Sequence, residues 1–283
     1  MTEATTAPRL IVLLRRNAGL RSLAYLGSMV GIILVATRTA RNADNPHPYH
    51  IHHIAFPGVL VITALFARLR PEDAASWRQL PQRQDVLHLV GGLGTGGLAI
   101  SSLLGVAAAQ GWVSAPEWGW ERTQIAPAAV ASSIAITAAH SVVLVFDEEM
   151  VFRGYGFDTL RDALGLFGAL AVSVPLFALY HGPGWKRFVG LSAAGLLLAL
   201  FRLRTGSLWF GAGFHFMWNL MQEGVFGPLD QAPSLRPLHV HGSVEWVGRP
   251  GYPEPGWLQI IWVTALAAAA AALGRRSQPS SHL

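Results

Sequence analysis

The sequence predicts an all-α membrane protein, a polytopic bundle of about eight transmembrane helices, on three observations. Apolar residues make up 52% of the chain and charged residues only 13%, whereas a soluble domain carries about 25% charged residues. Apolar runs recur along nearly all of the 283 residues, which leaves no room for a large soluble domain. Basic residues are concentrated in alternate connecting segments, as membrane topology requires.

Eight apolar runs are the predicted helices, and a span needs about 20 residues. They fall at roughly 22–37, 54–67, 86–109, 125–155, 164–182, 188–201, 207–222 and 256–273. With the N-terminus in the cytoplasm, the cytoplasmic segments hold 14 of the Lys and Arg residues and the outer segments hold 7. This bias predicts that both termini are cytoplasmic. We expect residues 1–283 to form a single integral membrane domain.

The composition also excludes several classes of function. The chain has no cysteine, which rules out disulfides, thiolate catalysis and Cys-ligated metals. The net charge of +5 comes mostly from arginine in short loops, so we expect no nucleic-acid partner. The glycine-rich run Gly91–Gly97 has the letters of a dinucleotide-binding fingerprint. The fingerprint requires a preceding strand, and none is predicted here, so we do not assign a dinucleotide site. We expect instead that Gly92 and Gly96 let two membrane helices approach closely.

The stretch Phe146–Gly154 places charges directly after the apolar run Ala128–Val145. An ionisable side chain in hydrocarbon costs at least ~2.5–3.5 kcal/mol at the helix centre, and such residues usually mark function. Glu149 and Arg153 are four residues apart, so they share a helix face and can pair. Glu148 is rotated off that pair and remains available for another task.

Two further polar groups follow on later apolar helices, namely Phe177–His181 and His215–Asn219. If runs 125–155 and 164–182 form an antiparallel hairpin that turns at Gly165, Glu148 and His181 each lie about 16 residues, or roughly 25 Å, from the turn. The hairpin requires its tip, roughly Asp158 to Leu164, to project into the cytoplasm. We therefore expect Glu148 and His181 to lie level, and His215 and Asn219 to converge with them.

The residue types favour hydrolysis by Glu and His acting on water. A serine elbow and a His-Glu-x-x-His zinc helix are absent, and we expect no aspartate within a span, which excludes an aspartyl dyad. A desolvated carboxylate such as Glu148 can act as a general base near neutral pH. His215 and the amide of Asn219 can stabilise an oxyanion, and one such donor is typically worth ~3–4 kcal/mol.

Each of these residues also has a purely structural interpretation. The Glu149–Arg153 pair by itself is more often structural than catalytic. His181 precedes Gly182-Pro183-Gly184, so it can be a helix-end histidine that faces the headgroups. His215 and Asn219 can be interhelical hydrogen-bonding groups, which are common in membranes.

The three motifs, in this order and each on an apolar helix, resemble those of the CPBP family. This family comprises CAAX prenyl proteases and bacteriocin-processing enzymes and is also called the Abi family. Its pattern is Glu-Glu-x-x-x-Arg, then Phe-x-x-x-His, then His-x-x-x-Asn or Asp. The resemblance covers about Ile134–Leu220, which predicts a catalytic core at about 125–222.

The resemblance implies an intramembrane endopeptidase that hydrolyses a peptide bond in a membrane-associated peptide or protein. The implied catalytic residues are Glu148, which activates water, its partner His181, and the oxyanion-stabilising pair His215 and Asn219. Glu149 and Arg153 are implied to support the site through their ion pair. The implied partners are the lipid bilayer and the peptide substrate, and the expected location is the bacterial inner membrane.

The cofactor stays open at this point, because the family is often called a metalloprotease. Glu148, His181 and His215 can form a three-ligand site for a divalent metal such as Zn²⁺ with an open position for water. The same residues can act without metal, and we expect no tightly bound one. A second cluster, His47, His50, His52 and His53 beside Asp44, can bind a metal, although an interfacial loop is its simpler interpretation.

Two other functions are compatible with the same residues. Buried Glu and His side chains also mark proton relays in transporters, but the sequence has no inverted repeat and no matched pair of broken helices. A non-catalytic bacteriocin-immunity or scaffold protein on the same fold is the other alternative. Loss of peptide cleavage in a Glu148→Ala variant distinguishes the protease from both.

Overall fold

The computed structural model describes residues 9–41, 49–69, 82–227, 233–248 and 256–273, and within them the chain is helical almost throughout. The helices are α1 (Arg9–Arg16), α2 (Ala18–Arg41), α3 (Tyr49–Ala67), α4 (Arg83–Ala109), α5 (Gly119–Thr123), α6 (Pro127–Phe152), α7 (Tyr155–Tyr180), α8 (Trp185–Thr205), α9 (Leu208–Leu220), α10 (Val244–Val247) and α11 (Trp257–Leu273). A π-helical turn, Met221–Val225, continues α9. The short strands β1 (Val113–Ser114) and β2 (His239–Val240) pair antiparallel.

Each of the eight predicted apolar runs coincides with one of these helices or, at 164–182, with part of α7. Four segments are long and apolar enough to cross a membrane: Ala18–Arg41, Arg83–Ala109, Pro127–Tyr180 and Trp185–Thr205. Two shorter apolar helices lie at Ile51–Ala67 and Trp257–Leu273. The chain is thus an all-α integral membrane protein, whereas the count of eight spans, the cytoplasmic termini and the single domain over 1–283 stay predictions.

The predicted hairpin tip, Asp158 to Leu164, is helical and belongs to α7, and its projection into the cytoplasm stays a prediction. Phe157, Thr159 and Leu160 are buried there. The chain turns earlier, between α6 and α7, and a Cβ at Gly156 would lie 2.0 Å from the Val151 carbonyl oxygen, so only glycine permits the close approach. Gly165, with φ 72° and ψ 178°, does interrupt the helix as expected.

The described chain divides into two compact units, and the first consists of Met1–Leu80 and Phe146–Ser173. Its core contains Tyr25, Met29, Val59, Ala67 and Tyr155. The Tyr25 hydroxyl is 3.0 Å from the Thr63 hydroxyl, and the Tyr155 hydroxyl donates to the Phe66 carbonyl at 3.0 Å. These hydrogen bonds hold α2, α3 and the start of α7 together, and each leaves its hydroxyl satisfied in an apolar setting.

The second unit consists of Pro81–Val145 and Val174–Leu283. In it, helices α4 and α9 approach backbone to backbone. A Cβ added at Gly92 would lie 2.1 Å from the Phe210 carbonyl oxygen, and one at Gly96 would lie 2.5 Å from that of Phe214. Gly213 on α9 is equally close to the Leu89 carbonyl oxygen, at 2.5 Å. The predicted packing role of Gly92 and Gly96 is therefore confirmed, and this contact fixes the helix that carries His215.

Candidate active site

Three consecutive carboxylates lie near the end of α6 and belong to the first unit. Asp147, Glu148 and Glu149 are each only 2% exposed. Successive residues of a helix are about 100° apart, so the three side chains leave the helix in three directions. The expectation that no aspartate lies within a span is wrong, because Asp147 is inside α6. Each carboxylate needs its own means of stabilisation in this setting.

Glu149 is stabilised by an arginine one helical turn further along the chain. Arg153 Nη1 lies 3.3 Å from Glu149 Oε1, and both side chains are buried. The i, i+4 spacing predicted this contact. Removing one member of a buried pair leaves an uncompensated charge, so the two residues depend on each other.

Asp147 is stabilised by a histidine that the sequence did not assign to the site. His52 Nδ1 on α3 lies 3.1 Å from Asp147 Oδ2. The predicted interfacial loop at His47–His53 is wrong in part, because α3 begins at Tyr49 and contains His52; His47 and Asp44 lie outside the described residues. The available signal was the third adjacent carboxylate, since a charge in a membrane helix requires a partner.

His181 and His215 lie at the same aromatic ring in the second unit. The centroid of the Phe177 ring is 4.6 Å from that of His181 and 6.3 Å from that of His215. His181 Nδ1 is 2.7 Å from the Phe177 carbonyl oxygen, which only accepts hydrogen bonds. Nδ1 therefore carries a proton, and in the neutral ring Nε2 is the nitrogen that can accept a hydrogen bond. Helix α7 ends just before His181, at Tyr180.

Helix α9 carries the third motif on one face. His215 is buried and Asn219, one turn further, is half-buried. The Asn219 amide makes no hydrogen bond within the part of the chain that the structure describes. Next to it, Trp218 Nε1 donates to Gln222 Oε1 at 2.9 Å. Gln222 belongs to the π-helical turn that begins at Met221, and such turns occur frequently at functional sites.

The structure thus gathers the predicted site residues in two groups, one in each unit. Glu148, Glu149 and Arg153 belong to the first unit, and His181, His215 and Asn219 belong to the second. The convergence of Glu148 with the second group stays a prediction. No three His, Asp or Glu side chains among the described residues are grouped so as to hold a metal ion. We therefore derive no step through a metal ion.

The comparison with family models supports the identity of this segment. A model described as "Type II CAAX prenyl endopeptidase Rce1-like" matches residues 129–221, which include all three motifs. The matched segment is 93 of the 283 residues. No curated protein and no solved structure matches the chain. The resemblance predicted from the motifs is confirmed.

Proposed function

We propose that the chain, which matches the model of type II CAAX prenyl endopeptidases through residues 129–221, hydrolyses a peptide bond in a membrane-associated substrate, with Glu148 activating the water. The observation that supports the proposal best is the buried Glu148 on a membrane helix, inside the segment that matches the family. A carboxylate buried in such a helix is costly and is usually functional.

The proposed reaction needs one base and one set of hydrogen-bond donors. Glu148 takes a proton from water as the water oxygen attacks the carbonyl carbon of the peptide bond. An N–H of His215 and the amide of Asn219 donate to the oxyanion that forms. Glu148 then returns the proton to the leaving amine as the C–N bond breaks. The absence of a hydrogen bond from the Asn219 amide within the described residues supports its role as a donor to substrate.

His181 is proposed to hold the attacking water. Its Nδ1 proton is donated to the Phe177 carbonyl, so its Nε2 lone pair can accept a hydrogen bond from that water. The orientation of the ring by its own backbone favours this role, because a water held in the right direction reacts faster than a mobile one. The imidazole needs no change of charge during the reaction.

The proposed partners are the lipid bilayer and a peptide or protein that reaches it, in a bacterial inner membrane. The description of the matching family names CAAX prenyl endopeptidases, so a C-terminal peptide anchored by a prenylated cysteine is one substrate class. An unprenylated membrane peptide, such as a bacteriocin leader, is the other. The same catalytic groups serve both, and the difference lies in how the substrate is anchored.

The test compares two internally quenched peptides of one CAAX sequence, with and without a farnesyl group, on the purified full-length chain. We expect the chain to cleave at least one of them and Glu148→Gln to lower kcat by roughly 10²–10⁴-fold. Glu121→Gln, at an exposed carboxylate of α5, serves as the matched control and should cleave normally. A preference for the farnesylated peptide assigns the prenylated substrate class.

Three outcomes would overturn the proposal or amend it. Equal cleavage by the chain and by Glu148→Gln would remove Glu148 from the reaction. Absence of cleavage, together with proton-driven flux in liposomes that is lost in Glu148→Gln, would establish a transporter instead. In a parallel measurement, we expect a chelator to leave the cleavage rate unchanged. Loss of cleavage in the presence of the chelator would assign a metal to the reaction.

A further inference from the structure

A second acid–base contact, between a half-buried histidine and a buried carboxylate, lies beside Glu148, and the proposed mechanism does not use it. His52 on α3 approaches Asp147 on α6 at 3.1 Å, and Asp147 immediately precedes Glu148. Both residues belong to the first unit. We propose that His52 and Asp147 are positioning residues that hold the end of α6, and with it Glu148, in the geometry needed for catalysis. This inference rests on the proposed function.

The position of Glu148 close to a helix end creates the need for such an anchor. Helix α6 ends at Phe152, four residues after Glu148, and the last turn of a helix lacks part of the intrahelical hydrogen bonding that holds its middle. A misplacement of about 1 Å in a catalytic group can cost roughly 10²-fold in rate. The contact between Asp147 and His52 attaches α6 to a second helix just before this last turn, one residue away from the proposed base.

The two carboxylates on either side of Glu148 in the sequence, Asp147 and Glu149, both have basic partners. Glu149 contacts Arg153 from within the same segment, and Asp147 contacts His52 from another helix. The Oδ1 atom of Asp147 is buried and makes no hydrogen bond within the described residues. His52 is therefore the residue on which the Asp147 carboxylate depends, and its loss would leave that carboxylate without compensation in an apolar setting.

Two substitutions of His52 separate positioning from packing. In His52→Asn the amide Nδ2 is as many bonds from the backbone as Nδ1 of histidine, so the hydrogen bond to Asp147 can be kept. In His52→Leu the donor is lost. We expect His52→Leu to lower kcat roughly 10²-fold on the peptide that the chain cleaves, with KM nearly unchanged, and His52→Asn to retain most of the rate.

A matched control and a double variant test whether His52 acts through Asp147. His53→Leu changes the exposed neighbouring histidine of α3 and should leave kcat unchanged. If His52 acts through Asp147, His52→Leu combined with Asp147→Asn should lose no more rate than Asp147→Asn alone, because the two changes break one contact. Additive losses, or equal rates in His52→Leu and His53→Leu, would overturn the inference.

A measurement that needs no substrate keeps the inference separate from the proposed function. Dicyclohexylcarbodiimide, an apolar reagent that modifies protonated carboxyl groups, is applied to each variant, and mass spectrometry locates the label. We expect His52→Leu to raise labelling at Asp147 and Glu148 several-fold, and His52→Asn and His53→Leu to label as the unmodified chain does. Unchanged labelling in His52→Leu would overturn the inference while cleavage continues. Absence of cleavage with changed labelling would overturn the proposed function and leave the contact established.

Discussion

The two units hold their candidate residues in opposite chemical settings. In the first, Asp147, Glu148, Glu149 and Arg153 are ionisable, adjacent in sequence and buried, and two of the carboxylates depend on a basic partner. In the second, imidazole and amide side chains lie at aromatic rings and on one face of α9. Buried charges need specific partners, whereas neutral polar groups are less costly to bury. Substitutions in the first unit should therefore affect stability as well as rate, and those in the second mainly rate.

Breaking the ion pair of the first unit should have the largest effect on stability. Arg153→Leu removes the partner of the buried Glu149, and breaking such a pair typically costs about 3–5 kcal/mol. We expect a large drop in the thermal unfolding temperature of the purified chain. The measurement is thermal unfolding in a fixed detergent, with the yield of folded protein as a second readout.

The double variant Glu149→Leu with Arg153→Leu sharpens this result. Replacing both members of a buried pair by apolar residues is often neutral or stabilising, so the double variant should regain most of the lost stability. If it also regains peptide cleavage, the pair is structural. A double variant that unfolds as early as Arg153→Leu would contradict the view that an uncompensated Glu149 is the cause.

The second unit should show the reverse pattern at Asn219. Its amide makes no hydrogen bond within the described residues, so Asn219→Ala should change stability little. The loss of one oxyanion donor is typically worth about 2.7–4 kcal/mol, or roughly 10²–10³-fold in kcat. The measurement is kcat on the cleaved peptide beside thermal unfolding of the same preparation.

A neighbouring variant provides the control for Asn219. Trp218→Phe removes the indole donor to Gln222, and a hydrogen bond of this kind contributes about 0.5–1.5 kcal/mol to stability. It should therefore lower the unfolding temperature slightly and leave kcat nearly unchanged. If Asn219→Ala destabilises the chain more than Trp218→Phe does, Asn219 is a packing residue and the oxyanion role is wrong.

The sequence predicted features that depend on spacing within one helix or on mean composition. The apolar runs located the helices because burial in lipid requires long apolar segments. The i, i+4 spacing located the contact between Glu149 and Arg153, and the four-residue spacing of Gly92 and Gly96 predicted their close helix contact. In each case the information lies in a few neighbouring residues.

Features that depend on contacts between distant segments were missed. His52 and Asp147 are 95 positions apart, and no local pattern connects them, so the histidine was placed in a loop and the aspartate received no role. The burial of part of the predicted hairpin tip was missed for a related reason. Asp158, Arg161 and Asp162 make the segment look polar, but Phe157 and Leu160 are buried within the first unit, and Asp162 is paired with Arg21 at 3.1 Å.

An effect on both stability and rate is expected at the glycines that hold α9 against α4. A Cβ at Gly92 would lie 2.1 Å from a backbone oxygen, so Gly92→Ala must push α9 away, at a cost of about 1–3 kcal/mol for overpacking. Gly94, on the same helix, is exposed and has open space for a Cβ, so Gly94→Ala should be neutral or stabilise by up to about 1 kcal/mol. Because α9 carries His215 and Asn219, Gly92→Ala should also lower kcat. Gly94→Ala should leave kcat unchanged. Equal unfolding temperatures and rates in the two variants would mean that the helix contact does not position the proposed oxyanion donors.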